Sequence, residues 1–308
     1  MITRLLVLAP LLLGAQTERA VFRATTRAVQ IDVFVGKDDK AVSGLSAADF
    51  EVYDEGTLQE ILVVDTASVP LDVAMVLDTS QSVAGSRLDH LRRAAGDFIR
   101  ALQASDRVAL HTFSHYLERV SDLTSDHAAL IATTETVQSH GATAWRDALF
   151  AGLKTVEGAQ ARPLVLLFTD GADTYSWLGE SQMLPLIEQS DAVVYAIGHR
   201  DRATAYALMT NSIDRRRQLE RARQENAGRN KLLRQLTTAS GGRLLQTQSA
   251  EDLQPVFLQI LGEMKTRYLL TYQLPPDAHP GWHDVEVKVK RRGVDVRARR
   301  GYFHQEND

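Results

Sequence analysis

Between Leu71 and about Leu261, strand-like apolar runs alternate with helix-length segments, and this alternation restricts the chain more than any other feature. "DVAMVLD" (72–78), "RVALHTFS" (107–114), "PLVLLF" (163–168) and "AVVYAIG" (192–198) read as buried strands. Between the first two, Leu88, Leu91, Ala95, Phe98, Ile99 and Leu102 fall on one helical face. Ser86 and Asp89, three apart, suggest a capping box at that helix's start. "LERVSDL" reads as a short edge strand, and "HAALIATTETV" and "TAWRDALFAGLKTV" as helices. "SQMLPLIEQS" is a helix disturbed at Pro185, and "AEDLQPVFLQILGEM" is a last helix. "KLLRQLTTASGG" is a helix closed by Gly241 and Gly242, where a left-handed cap would sit. Strands alternating with helices imply a mainly parallel sheet covered on both faces.

Both ends of the chain carry a different signal. Val29, Ile31, Val33 and Val35 alternate with Gln30, Asp32 and Phe34, the period of a half-buried strand. "DFEVYDEG" and "EILVVD" add short strands, and "RYLLTYQL" is another near the C-terminus. "HDVEVKVK", "RRG" and "VDVRARR" read as a hairpin with Val285, Val287 and Val289 facing one way. Neither end has enough strands for a stable sheet alone. The economical architecture is α/β: a doubly wound, Rossmann-like domain inserted in, or flanked by, a small β-sandwich made from the N- and C-terminal segments. The expected division is a leader over 1–16, an N-terminal β segment over 17–69, the α/β domain over 70–264 and a C-terminal β segment over 265–308.

The leader, "MITRLLVLAPLLLGAQ", has one early arginine, an apolar run from Leu5 to Leu13 and small residues after it. This is the pattern of a secretory signal peptide, with cleavage expected near Ala15–Thr17 and export to the periplasm or beyond. The run is too short to span a bilayer comfortably, and no second span follows it. The chain has no cysteine, so disulfides take no part in its stability. A net charge of -4 gives no electrostatic footprint for nucleic acid. The arginine-rich stretch 200–230 reads as a solvated helix or a mobile insertion, with a partner-binding arm as the alternative.

The chemistry concentrates where strands end. The strand over 72–78 stops at Asp78, with Ser80 and Ser82 following on alternate positions. "PLVLLF" runs into Thr169 and Asp170. In an open parallel sheet, ligands bind beyond the carboxyl ends of the strands, where strand order reverses. A sheet that starts in its middle and winds both ways would make these strands neighbours. Asp78 and Asp170 would then repel unless a cation lay between them. Thr143, at the start of a helix, is placed either as an N-cap or as a further ligand. Carboxylates and alcohols are hard oxygen donors that suit Mg²⁺, Mn²⁺ or Ca²⁺. Such an ion would keep an exchangeable position for an acidic group on a partner. Asp147, one turn beyond Thr143, could hold the Thr143 loop from behind or be a solvated helix charge. Asp173 reads first as a turn residue and second as an outer support of the same kind.

In this order ("DTSQS", "GAT", "TDG") the stretch from about Pro70 to Leu261 resembles a von Willebrand factor type A domain. The resemblance implies a metal-ion-dependent adhesion site made by Asp78, Ser80, Ser82, Thr143 and Asp170. The whole chain also resembles an exported bacterial family named for its relation to that domain and common in acidobacteria, through "SGLSAADFEVYDEGTLQEI" and "YLLTYQL…RARRGYF".

A nucleophilic Ser80 or Ser82 with His115 or His140 as base is the enzymatic alternative. No G-x-S-x-G elbow or phosphate-binding G-x-x-x-x-G-K-[ST] loop accompanies it. A structural envelope protein with an unused metal site is the other alternative. The expectation is a non-enzymatic, exported binding module whose ion captures an accessible carboxylate of a protein partner, with no nucleic-acid ligand and no transmembrane segment after the leader is removed.

Overall fold

A computed structural model describes residues 28–38, 40–66, 69–159, 161–169, 173–199, 213–275 and 278–304. The expected leader, Asp170 and residues 200–212 of the arginine-rich stretch lie outside the described residues.

In chain order, the N-terminal segment supplies β1 (Ala28–Lys37), β2 (Lys40–Ala41), β3 (Phe50–Asp54), β4 (Thr57–Gln59) and β5 (Ile61–Asp65). The middle supplies β6 (Leu71–Asp78), α1 (Ser86–Arg100), β7 (Arg107–Phe113), β8 (Leu117–Thr124), α2 (His127–Thr136) and α3 (Trp145–Thr155). It continues through β9 (Arg162–Thr169), α4 (Glu180–Glu188), β10 (Val193–His199), α5 (Ile213–Ala239), β11 (Leu244–Thr247) and α6 (Leu253–Lys265). The C-terminal segment adds β12 (Tyr268–Gln273), β13 (Gly281–Val289), β14 (Asp295–Ala298) and β15 (Gly301–His304).

The middle forms one six-stranded sheet in the order β11-β10-β9-β6-β7-β8. All neighbours are parallel except edge strand β8, which runs antiparallel to β7. β6 is the point where winding reverses, with β7 on one side and β9 on the other. Every residue of β6 is buried, because helices cover both faces of the sheet. Val73, Met75 and Leu77 pack with α1 and α6 on one face, and Ala74 and Val76 with α3, α4 and α5 on the other.

The two ends of the chain interleave. β1 pairs with β12 and β14, and β5 with β12; in a second sheet β3 pairs with β13, which pairs with β15. Residues of both sheets share one core, where Phe50 meets Tyr268 edge to face at 5.2 Å. The ends are therefore a single β-sandwich, and the α/β fold is inserted into it.

Three local expectations are corrected. β13 and β14 do not form a hairpin: they belong to different sheets, and residues 290–294 turn the corner between them. Both strands have an apolar face, and those faces meet across the sandwich core instead of lying side by side. The helix expected over 231–242 extends back to Ile213, so the charged residues from there onward are helical. Gly85 stands at the N-cap of α1, with Ser86 already inside the helix, and no side chain caps that end.

Candidate functional site

Asp78 is the last residue of β6 and is fully buried. Its Oδ1 accepts the Ser80 backbone N–H at 2.8 Å, and its Oδ2 accepts the Thr169 hydroxyl at 2.8 Å from the end of β9. The register that aligns Leu77 with Phe168 brings this about. The Ser80 and Ser82 hydroxyl oxygens lie 2.9 Å apart, with Ser80 buried and Ser82 exposed. The alternate spacing noted in the sequence thus turns both hydroxyls to one place.

A second loop is stitched to the first by backbone bonds. Gln81 N–H donates to the Gly141 carbonyl at 3.0 Å, and His140 N–H to the Thr79 carbonyl at 2.7 Å. This loop carries Thr143, which is buried. Gly141 adopts φ +71°, and an added Cβ would stand 1.9 Å from His115 Nδ1. Only glycine meets both demands, since other residues in that region of backbone space clash with their own carbonyl.

A third loop, 173–178, supports the second. Thr174 and Tyr175 N–H groups donate to the Thr143 carbonyl at 2.9 and 3.1 Å. Thr143 does not cap α3. The N-cap is Ala144, which has no acceptor, and the helix's first free N–H groups are taken from outside: Arg146 N–H by Asp173 Oδ2 at 3.0 Å and Asp147 N–H by Ser176 Oγ at 3.3 Å. Of the two roles open to Thr143 in the sequence, capping is therefore removed. Asp147 in turn accepts the N–H groups of Trp177 and Leu178 at 2.9 and 3.0 Å. Asp173 also receives the Ser176 hydroxyl at 2.7 Å and the Arg146 guanidinium at 3.2 Å. Both acids bind α3 to the 173–178 loop, a role that sequence spacing did not reveal, because their partners lie about 27–31 residues away.

The structure thus brings Asp78, Ser80, Ser82 and Thr143 to the carboxyl end of the central sheet, at the reversal of strand order. Asp170 directly follows Thr169 in the chain but lies outside the described residues. An aromatic rim surrounds the loops. The rings of His115 and Tyr116 lie 4.7 Å apart, Tyr116 and His140 4.9 Å, and His115 and Tyr175 5.8 Å. Tyr116 and Tyr175 are half-exposed, and Trp177 is 93% exposed. These exposed rings were not singled out in the sequence, where nothing marks an aromatic in a loop as lying beside a distant strand end. The Ser80 hydroxyl bonds Ser82 rather than a histidine, while His115 Nδ1 meets Ser114 Oγ at 3.4 Å.

The donor set suits a hard divalent ion. A carboxylate has about four acceptor positions, and Asp78 accepts both the Ser80 N–H and the Thr169 hydroxyl, which are neutral donors. The alcohols beside it are neutral oxygen ligands, and no thiolate exists anywhere in the chain.

Comparison with known proteins agrees with this fold. A family model described as the von Willebrand factor type A domain matches residues 73–172. A von Willebrand factor type A structure from Catenulispora acidiphila is 13% identical over 89% of this chain and 73% of its own, with a TM-score of 0.52. Proximal thread matrix protein 1 from the mussel byssus, with a zinc-occupied MIDAS motif, is 17% identical over 69% of this chain and 50% of its own, with a TM-score of 0.51. The von Willebrand factor domain of the type V pili tip protein Mfa5 from Porphyromonas gingivalis is 27% identical over 36% of this chain, with a TM-score of 0.33. The chain spans 40% of that pilus-tip structure and half of the mussel one. Among curated proteins no match is found. With β6 ending at Asp78, the 73–172 match and the doubly wound sheet agree: the chain carries a von Willebrand factor type A domain.

Proposed function

We infer that the protein is an exported, non-enzymatic binding module. In this reading a hard divalent ion, held by Asp78, Ser80, Ser82, Thr143 and Asp170, captures a carboxylate of a protein partner. The single observation that carries it is the convergence of the first two loops: a fully buried Asp78 carboxylate held from two sides, beside paired serine hydroxyls and a buried Thr143 that is not spent on capping. The ion supplies positive charge and an exchangeable position; the residues supply the oxygens, and the stitched loops hold them in place. Mg²⁺, Mn²⁺ or Ca²⁺ follows from the donor chemistry. The mussel protein's zinc-occupied motif supports a divalent ion in general. The exposed Tyr116, Tyr175 and Trp177 supply large rigid contacts of the kind that dominate protein interfaces.

The reading includes the division of the chain into a cleaved leader (1–16), β segments over 17–69 and 265–308, and a binding domain over 70–264, acting in the periplasm or outside the cell. No helix among the described residues is long and apolar enough to cross a membrane.

One experiment tests this reading. Protein is recovered from the exported fraction of the native host, its first residue read (expected near Ala15–Thr17), and then titrated calorimetrically with Mg²⁺ and Mn²⁺ beside Asp78→Ala. A ligand that binds only the native state adds RT ln(1 + [L]/Kd), about 2.7 kcal/mol at a hundredfold excess over Kd. The wild type should bind one ion and melt higher with it, and Asp78→Ala should lose both effects. Equal heats and equal melting shifts in the two proteins would overturn the metal site.

A further inference from the structure

A cleft of about 500 Å³ lies in the seam between the inserted domain and the sandwich. Small-molecule sites are commonly of this size. α5 supplies one wall through Ala227, Lys231, Arg234 and Thr238, whose spacing puts them on one helical face. Leu184 and Glu188 of α4, one turn apart, form a second wall. The sandwich closes the cleft with Trp282 of β13 and with Arg300, which stands between β14 and β15. The Arg300 backbone N–H donates to the Ala239 carbonyl at 3.3 Å, at the end of α5, and this ties the two parts together. Just beyond, the Ser240 hydroxyl accepts the Val194 N–H at 2.9 Å near the start of β10. The cleft therefore lies toward the amino ends of the parallel strands, whereas Asp78 stands at a carboxyl end.

The charges of the cleft carry the inference. Lys231, Arg234 and Arg300 line one space, and Glu188 is the one carboxylate-bearing residue that lines it with them. Among the described residues, no carboxylate forms an ion pair with these three cations, and no acceptor takes a hydrogen bond from their side chains. Carboxylates are not scarce, since the chain holds 39 acidic against 35 basic residues. Neighbouring arginines do find them: Arg299 pairs with Asp191, and Arg297 with Glu263 at 3.0 Å. Like charges gathered around a cleft focus their field into it. An anion relieves their repulsion, and guanidinium groups offer it paired donors.

Trp282 supplies an apolar wall. Its Nε1 donates to the Asp284 carboxylate at 2.7 Å, and its ring lies against Gly301 of β15, where an added Cβ would stand 2.4 Å from it. Glycine in that strand lets the indole lie close over the backbone. The half-buried ring lines the cleft together with Leu184. Glu188, Asn230 and Gln235 add acceptors and donors for hydroxyl groups. We propose that this cleft binds a sugar that carries a carboxylate or a phosphate. Lys231, Arg234 and Arg300 hold the anionic group, the ring of the sugar lies against Trp282, and the polar side chains take its hydroxyls.

The test uses the full chain in excess chelator, so that no divalent ion holds an anion at Asp78. Glucuronate and glucose 1-phosphate are titrated calorimetrically, beside glucose and inorganic phosphate. One equivalent of at least one of the two sugar acids should bind, and more tightly than either glucose or phosphate; the tighter of the two identifies the anionic group. Lys231→Gln and Arg234→Gln, at exposed positions whose side chains bond nothing in the fold, should each weaken binding roughly tenfold. The indole N–H resonance of Trp282, identified by its loss in Trp282→Phe, should shift when the ligand binds. Four results would each overturn the proposal: no binding of either sugar acid, equally tight binding of inorganic phosphate (an adventitious ion only), undiminished binding by the Lys231→Gln/Arg234→Gln double variant, or an unmoved Trp282 resonance.

Discussion

At the scale of single residues, the site is chemistry placed on backbone. Asp78, Ser80, Ser82 and Thr143 stand out in the sequence because their side chains are unusual at the ends of apolar runs. Their surroundings are less legible: Asp147 reads equally as a support or a solvated charge, Asp173 first as a turn residue, and Gly141 shows no constraint, because each is defined by a partner that the chain reaches only after folding back. The same is true of His111, in the middle of β7. It is buried, its Nε2 lies 2.9 Å from Thr155 Oγ1, and its Nδ1 is buried with no hydrogen-bond partner. Burial first, and Arg119 second, hold its pKa below the usual 6.5. The unfolded chain therefore takes up a proton more readily than the folded one. Stability should fall as pH drops through about 6.5 toward the lowered folded value, and level off below it. Urea unfolding at a series of pH values between 7 and 5 should show this loss, and His111→Gln should flatten it. An unchanged slope in the variant would mean that other groups cause it.

At the scale of elements, the strongest periodic signals translated directly into structure: β1, β6, α1 and α6 fall where the pattern puts them. The expected hairpin between β13 and β14 failed for a specific reason. Alternation shows that a strand has one buried face, but not which sheet buries it. A "RRG" segment turns between sheets as readily as within one. The Gly241–Gly242 cap was legible. Gly241 has φ +80°, and its N–H and that of Gly242 bond the Thr238 and Thr237 carbonyls. Its second constraint was not legible: an added Cβ would stand 2.7 Å from the backbone of Ala298 and Arg299 in β14 and just beyond it. Gly44, at φ +76°, has nothing within 4 Å. Gly44→Ala should therefore cost only the left-handed conformation, roughly 1–2 kcal/mol, and Gly241→Ala clearly more. Denaturant midpoints of the two variants check this; equal losses would mean that the contact with β14 yields freely.

At the scale of the whole molecule, the sandwich and the inserted domain are joined by a buried polar network. Arg267, fully buried just after α6, donates to the Asp32 carboxylate and carbonyl in β1, to the Gly241 carbonyl at 3.0 Å and to the Tyr195 hydroxyl at 3.3 Å. Arg162 of β9 donates to the other Asp32 oxygen at 2.8 Å. Tyr195 donates to Glu263 at 2.9 Å, and burial above all pushes its phenol up to about 12, so it stays neutral. Removing one partner of a buried charge pair leaves the other uncompensated and costs about 3–5 kcal/mol. Arg162 still pairs with Asp32 after Arg267→Met, so the loss should lie at or below the lower end of that range. The double variant Arg267→Met/Asp32→Leu should lose less than the sum of the single losses, because the exposed penalty disappears with its owner. Additive losses in a double-mutant cycle would show that Arg267 acts through packing alone.

The sequence by itself determined the class of the major strands and helices, the reversal of winding at β6 and the oxygen chemistry at its end. All of these follow from local periodicity and from residue type at strand termini. Only the tertiary structure decided that β13 and β14 part into two sheets, that loop 173–178 relieves Thr143 of capping, and that Arg267 and Arg162 meet on Asp32. Those outcomes depend on contacts between residues far apart in the chain. Close packing selects among pairings that local pattern leaves equal in energy.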